Sequence, residues 1–201
     1  MKKSIKIFLS ILLLHSIILT VSGEEKGGTV AGTIKYKYVN KYPAVVYIEE
    51  ITGMKFDPPK KPVEMDQKGK EFIPRILPIL AGTTVNFLNS DDMEHNVFSP
   101  DGEKYDLGTW GKGLKRSYTF KNSGAYTQLC SLHPEMVAYI IVVKTPFFSI
   151  TDPEGNFKIP NIPPGTWKLK VWHERFKPRQ LEKQYEVKIE AETETKLLIE
   201  L

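Results

Sequence analysis

The stretch Cys130-Ser131-Leu132-His133-Pro134-Glu135-Met136 puts a thiol, an imidazole and a thioether at C-x2-H-x2-M spacing. It lies between residues 126–130 and 137–144, two runs rich in β-branched and aromatic residues that read as strands. The three donors therefore leave one tight loop at a strand-to-strand turn. Upstream, Glu94-His95-Asn96-Val97 offers a second imidazole at the start of another short strand, 95–99.

Two imidazoles, a thiolate and a weak axial thioether form the donor set of a blue (type 1) copper site. Soft sulfur holds Cu(I), and imidazole suits Cu(II). A geometry acceptable to both moves little when one electron is exchanged. A lone C-x2-H arises by chance, but here the context narrows it. The chain has a single cysteine, and of its four histidines only His95, His133 and His173 lie beyond residue 23. Other readings stay open at this point. Cys130 could be an inert buried thiol or an intermolecular crosslink. Met136 could be ordinary core packing. Met93 and Glu135 are alternative fourth ligands. Trp110 and Tyr126 read as packing residues, and Asp91 and Asp92 as turn residues.

Residues 1–23 read as a secretory signal peptide, with Lys2, Lys3 and Lys6 ahead of an apolar run over 7–21 and small residues at Val21-Ser22-Gly23. An uncleaved anchor is the alternative. Taking the three leader lysines from the formal charge of +4 leaves +1, so the basicity belongs to the leader and gives no reason to expect nucleic acid or an anionic membrane as partner. A lone cysteine in an exported chain has no disulfide partner, which keeps the ligand reading in play.

Beyond the leader the chain reads as short strands: 29–38, 44–51, 63–67, 72–79, 83–89, 95–99, 116–121, 126–130 and 137–144. Pro74 and Pro78 point to an edge or a bulge in 72–79. No window longer than about ten residues has a helical period. This spacing of strands predicts an antiparallel sandwich.

With these residues in view, residues 62–144 resemble the cupredoxin family, and the loop spacing is similar to that of the amicyanins. The resemblance is carried by Phe72-Ile73-Pro74, Ala81-Gly82-Thr83-Thr84-Val85-Asn86-Phe87, the 91–97 stretch, Gly124-Ala125-Tyr126 and the cysteine loop. It implies a Greek-key β-sandwich holding one type 1 copper ion on His95, Cys130, His133 and Met136, with His133 as the electron exit. It also implies that Asn96 ties its loop to Ser131, beside the thiolate. An acid at Glu135, where relatives are commonly apolar or aromatic, implies a less apolar docking patch that favours a basic partner.

The stretch from Thr151-Asp152-Pro153-Glu154-Gly155 through Pro163-Pro164-Gly165-Thr166-Trp167 is similar to carboxypeptidase-regulatory-like, prealbumin-type sandwich modules. Those modules open with a strand like Gly28-Thr29-Val30-Ala31-Gly32-Thr33-Ile34. The expected fold class is thus all-β, a cupredoxin sandwich plus a second, prealbumin-like sandwich. The expected domains are a leader 1–23, a first part of the second module 24–61, the cupredoxin domain 62–145 and the rest of the module 146–201. A single enlarged cupredoxin with a tail domain is the alternative. Trp172-His173-Glu174 is the one further candidate site, and a lone histidine on a sandwich strand is more often structural than a ligand.

The function implied is a periplasmic or otherwise extracytoplasmic one-electron carrier between redox proteins. A copper-holding or delivery protein using the same ligands is the alternative. Multicopper oxidases and copper nitrite reductases need further histidine-rich sites, which this sequence lacks, so an enzyme is not expected. A purely adhesive protein with a vestigial metal motif is the remaining class.

Overall fold

The computed structural model describes residues 26–201, and the leader over 1–23 lies outside the described residues. The chain opens with β1 (Gly28–Lys35) and β2 (Val45–Ile48). Then come β3 (Val63–Gln67), β4 (Phe72–Ile73), β5 (Ile76–Leu80), β6 (Thr84–Leu88) and β7 (His95–Ser99). β8 (Tyr105–Trp110), β9 (Lys115–Thr119), β10 (Gly124–Leu129) and β11 (Val137–Val143) follow. Last are β12 (Phe148–Ile150), β13 (Asn156–Ile162), β14 (Gly165–Trp172), the short helix α1 (Pro178–Leu181), β15 (Gln184–Ile189) and β16 (Glu194–Glu200). No helix among the described residues is long and apolar enough to cross a membrane.

The fold is all-β, with four sheets. Two of them, β5-β11-β10-β7-β8 and β4-β3-β6-β9, draw only on residues 63–143. The other two, β13-β1-β16 and β12-β2-β14-β15, draw only on 28–48 and 148–200. Each pair encloses its own core. Met65, Phe72, Val85, Phe87, Val97, Phe120, Ala138 and Ile140 fill one. Val30, Ile34, Val46, Ile48, Ile159, Leu169 and Val187 fill the other. Packing in the second pair is close enough to require glycine, since a Cβ on Gly32 would strike the Leu197 carbonyl across the β1–β16 seam.

A smaller third cluster joins the two pairs: Val45 and Trp172 on one side, Ile76, Ile141 and Val143 on the other. Side chains alternate across a strand, and β11 uses both faces. Ala138, Ile140 and Val142 point into the first core, while Ile141 and Val143 point into the joining cluster. β2 does likewise, with Val46 and Ile48 in one core and Val45 in the joint. Strands buried on both faces read as unbroken apolar runs, which is why Val137–Val143 and Val45–Ile48 show little polar alternation.

Three features differ from the sequence expectation. The sheets are mixed, because β1 pairs with β16, β3 with β6 and β5 with β11 in parallel. A parallel pair is joined by a crossover rather than a tight turn, and local alternation carries no trace of it. Strand β8 escaped the reading because it is an exposed sheet edge interrupted by Gly108, with only Trp110 fully buried. The 72–79 run is broken into β4 and β5 at Pro74-Arg75, and Pro78 sits on β5 at the sheet edge, as its missing N–H demands.

The joining cluster predicts that Trp172→Ala weakens the contact between the two sheet pairs at a cost of about 3 kcal/mol or more. Calorimetry on the variant should show two separated transitions or a clear loss of thermal stability. A single transition at the wild-type temperature would rule this out.

Candidate metal centre

Four local decisions bring the donors together. His95 is the first residue of β7, where its ring is fully buried. Cys130 follows the last residue of β10, and Val137 opens β11, with Leu129 paired to Val137 across the ladder. The chain between must turn within seven residues. It does so through a β-turn in which the Met136 N–H donates to the His133 carbonyl at 3.0 Å. Pro134 occupies the first central position of that turn, where its fixed φ is an advantage and its missing N–H no loss.

The result is a triangle of donor atoms. His95 Nδ1 and His133 Nδ1 are 3.1 Å apart, and Cys130 Sγ lies 4.0 Å from the first and 3.8 Å from the second. All three fall within 4.8 Å of one another. The centre of a triangle this size is about 2 Å from each corner, a metal–nitrogen or metal–thiolate bond length. Cys130 is 3% exposed and His133 is half-buried, so the site is closed on the cysteine side and open at His133. Met136, 1% exposed, packs in the same core cluster as Cys130. Met93 is 41% exposed and Glu135 is on the surface.

Second-layer contacts hold the donors. His95 Nε2 donates to Asp91 Oδ2 at 2.9 Å, which leaves the Nδ1 lone pair facing the triangle. Asp91 also accepts from the N–H groups of Gly69 and Lys70, at 2.7 and 2.9 Å. Burial would raise the Asp91 carboxyl, but these two amides and His95 outweigh it and hold the group down at about 2. The Asn96 N–H donates to Cys130 Sγ at 3.4 Å. The Asn96 side-chain oxygen accepts from the Ser131 N–H at 3.2 Å, while its amide donates to Asp106 Oδ1 and the Gly108 carbonyl. The expected Asn96–Ser131 tie thus exists, and it uses the main chain of Ser131 rather than the hydroxyl.

Asp91 reads from the sequence as a turn residue, and the structure places its carboxylate against His95. The available signal was an acid four residues before His95 in a polar loop. Trp110 and Tyr126 pack in the core as expected. His173 is structural: Nε2 donates to the Tyr42 carbonyl at 2.9 Å and Nδ1 accepts from the Arg175 N–H at 3.0 Å. Burial lowers its pKa, keeping the ring neutral.

The donor set fits copper chemistry, with two imidazole nitrogens and a cysteine sulfur in a compact, mostly buried site. Residues 49–143 match a family described as copper binding proteins of the plastocyanin/azurin family. No curated protein matches. Among solved structures, a Cu(I) form of an amicyanin variant is 25% identical, with 40% of this chain and 81% of that one covered, at a TM-score of 0.39. A purple cupredoxin from Nitrosopumilus maritimus is also 25% identical, covering 40% and 98%, at 0.37. A copper-containing nitrite reductase from Thermus scotoductus is 26% identical over 57% of this chain and 28% of its own, at 0.41.

The pKa of Asp91 has a measurable consequence. Its carboxyl titrates near 2 when folded, against 3.8 for the free side chain. The stabilisation it carries is therefore complete above that free value and is lost as pH falls from there to about 2. Copper-free Asp91→Asn should unfold with a flatter pH dependence over this window than wild type. Parallel acid-unfolding curves would contradict the assignment.

Proposed function

We propose that the protein is an exported one-electron carrier with a type 1 copper site, a reading supported by the match of residues 49–143 to the plastocyanin/azurin family of copper-binding proteins. The ligands in this reading are His95, Cys130, His133 and Met136. The observation that carries it is the triangle of Nδ1, Nδ1 and Sγ atoms, held from behind by Asp91 and Asn96. When bound, copper supplies the Cu(I)/Cu(II) couple. The protein's part is to keep the donors in one arrangement for both states, so that little reorganises on electron transfer.

Two features favour a carrier over the copper-holding alternative. His95 and Cys130 are buried and anchored, which suits retention of the ion rather than its delivery. His133 is half-exposed between Leu132, 49% exposed, and Pro134, which offers a redox protein an apolar approach to a ligand ring. Glu135 adds one acid to that rim. The proposed partners are an electron donor and an electron acceptor of the same compartment, reached through the leader over 1–23. The proposal includes no enzymatic turnover, because both ring nitrogens of His173 are engaged by main-chain groups and no other histidine beyond residue 23 is left for a second copper centre. It also takes 62–145 as the copper domain and 24–61 with 146–201 as one discontinuous, carboxypeptidase-regulatory-like module.

The copper-loaded protein should be blue and redox-reversible. Cys130→Ser should abolish the intense visible band, whereas Met136→Gln should keep copper and lower the midpoint potential. Optical, EPR and voltammetric measurements on the three proteins decide this. A band that survives Cys130→Ser would sink the ligand assignment, and a colourless protein that retains only Cu(I) would point to the copper-holding alternative.

A further inference from the structure

The Arg75 guanidinium joins three parts of the molecule. Its Nε and Nη2 donate to Glu174 Oε2 and Oε1 at 2.9 and 3.3 Å, and Nη1 donates to the Val137 carbonyl at 3.0 Å. The Arg75 carbonyl in turn accepts from the Tyr139 N–H at 2.8 Å. Both ends of the residue thus grip the start of β11. The rings of Tyr42 and Tyr139 lie 5.5 and 5.8 Å from Cζ and flank the group with apolar surface.

Val137 is the residue after Met136, and it pairs with Leu129, the residue before Cys130. That rung closes the loop 130–136. Glu174 comes from beyond the end of β14, in the sheets built from 28–48 and 148–200. A carboxylate of the second sheet pair is therefore connected, through one side chain, to the base of the loop that carries Cys130, His133 and Met136.

Among the described residues most ion pairs are exposed at both ends, as in Lys26–Glu192 and Lys158–Glu194. Such pairs contribute little. Glu174 differs, because its side chain is 2% exposed. A carboxylate withdrawn from water needs its cation held in place, and a two-pronged guanidinium contact fixes direction as well as distance. Arg175 Nε, 3.5 Å from Oε1, adds a second positive group on the same carboxylate.

We propose that Glu174, acting through Arg75, is a positioning residue for the metal loop, so that the second sheet pair sets the geometry of the copper site. The inference rests on the copper reading above. Coupling of this kind is reciprocal, so copper binding also tightens the Glu174–Arg75 contact.

The test compares full-length wild type, Glu174→Gln, Arg75→Lys, their double variant and the control Glu194→Gln, each copper-free and Cu(II)-loaded. In the copper-free proteins, hydrogen exchange is followed at the Met136 N–H, which the loop turn protects. It should be about tenfold faster in Glu174→Gln and Arg75→Lys than in wild type or the control. In the loaded proteins, the copper hyperfine splitting and midpoint potential should shift in the same direction for both variants, with no further shift in the double variant. Arg75→Lys keeps the charge and guards against loss of folding in Glu174→Gln. Wild-type exchange, splitting and potential in variants that still melt cooperatively would overturn the proposal. A wild type without a type 1 spectrum would instead defeat the copper reading, and the copper-free exchange data would still decide whether Glu174 positions the loop.

Discussion

Strand β11 is the constraint on which the rest of the molecule depends. Its seven residues are apolar on both faces because each face has a different core to fill. Ala138, Ile140 and Val142 close the copper-binding sandwich, and Ile141 and Val143 meet Val45 and Trp172 of the second sheet pair. Its first residue, Val137, closes the loop that carries three of the four proposed ligands. Parallel pairing with β5 and antiparallel pairing with β10 fix the strand from both edges. A displacement of β11 would therefore be felt at once in both cores and in the metal loop, since close-packed interiors transmit strain rather than absorb it.

The metal centre follows the same logic on a smaller scale. His95 and Cys130 are each held by a group outside the donor set. Asp91 fixes the His95 tautomer, and Asp91 is itself fixed by two main-chain amides. The Asn96 N–H faces the thiol, while its side chain spans from the cysteine loop to Asp106 and Gly108 of β8. Around the buried His95, Asn96 and Cys130, a polar network whose members satisfy one another restrains the donors, and restraint is what a site must have to accept two copper oxidation states without rearranging. The route from β14 through Glu174 and Arg75 to Val137 extends this support to the second sheet pair, with β11 again as the element in common.

Much of the site was legible because its donors are chemically scarce. With one cysteine and three histidines beyond the leader, few constellations were available, and the short spacing of Cys130, His133 and Met136 survives folding because a loop of seven residues cannot scatter them. Asp91 was not legible. Acids in a polar loop are common, and only the fold shows that this one faces His95. Strand β8 was missed because an exposed edge strand needs little hydrophobic patterning. The Glu174–Arg75 contact could not be read at all, since its partners are 99 residues apart.

The sequence by itself determined the chemistry of the donors, the all-β character and the turns, because these depend on residue type and on neighbours a few positions away. The tertiary structure alone decided the three parallel pairings, the carboxylate behind His95, the structural role of His173 and the joint between the sheet pairs. Each of those depends on which distant segments meet, and periodicity within one segment contains no record of its partner.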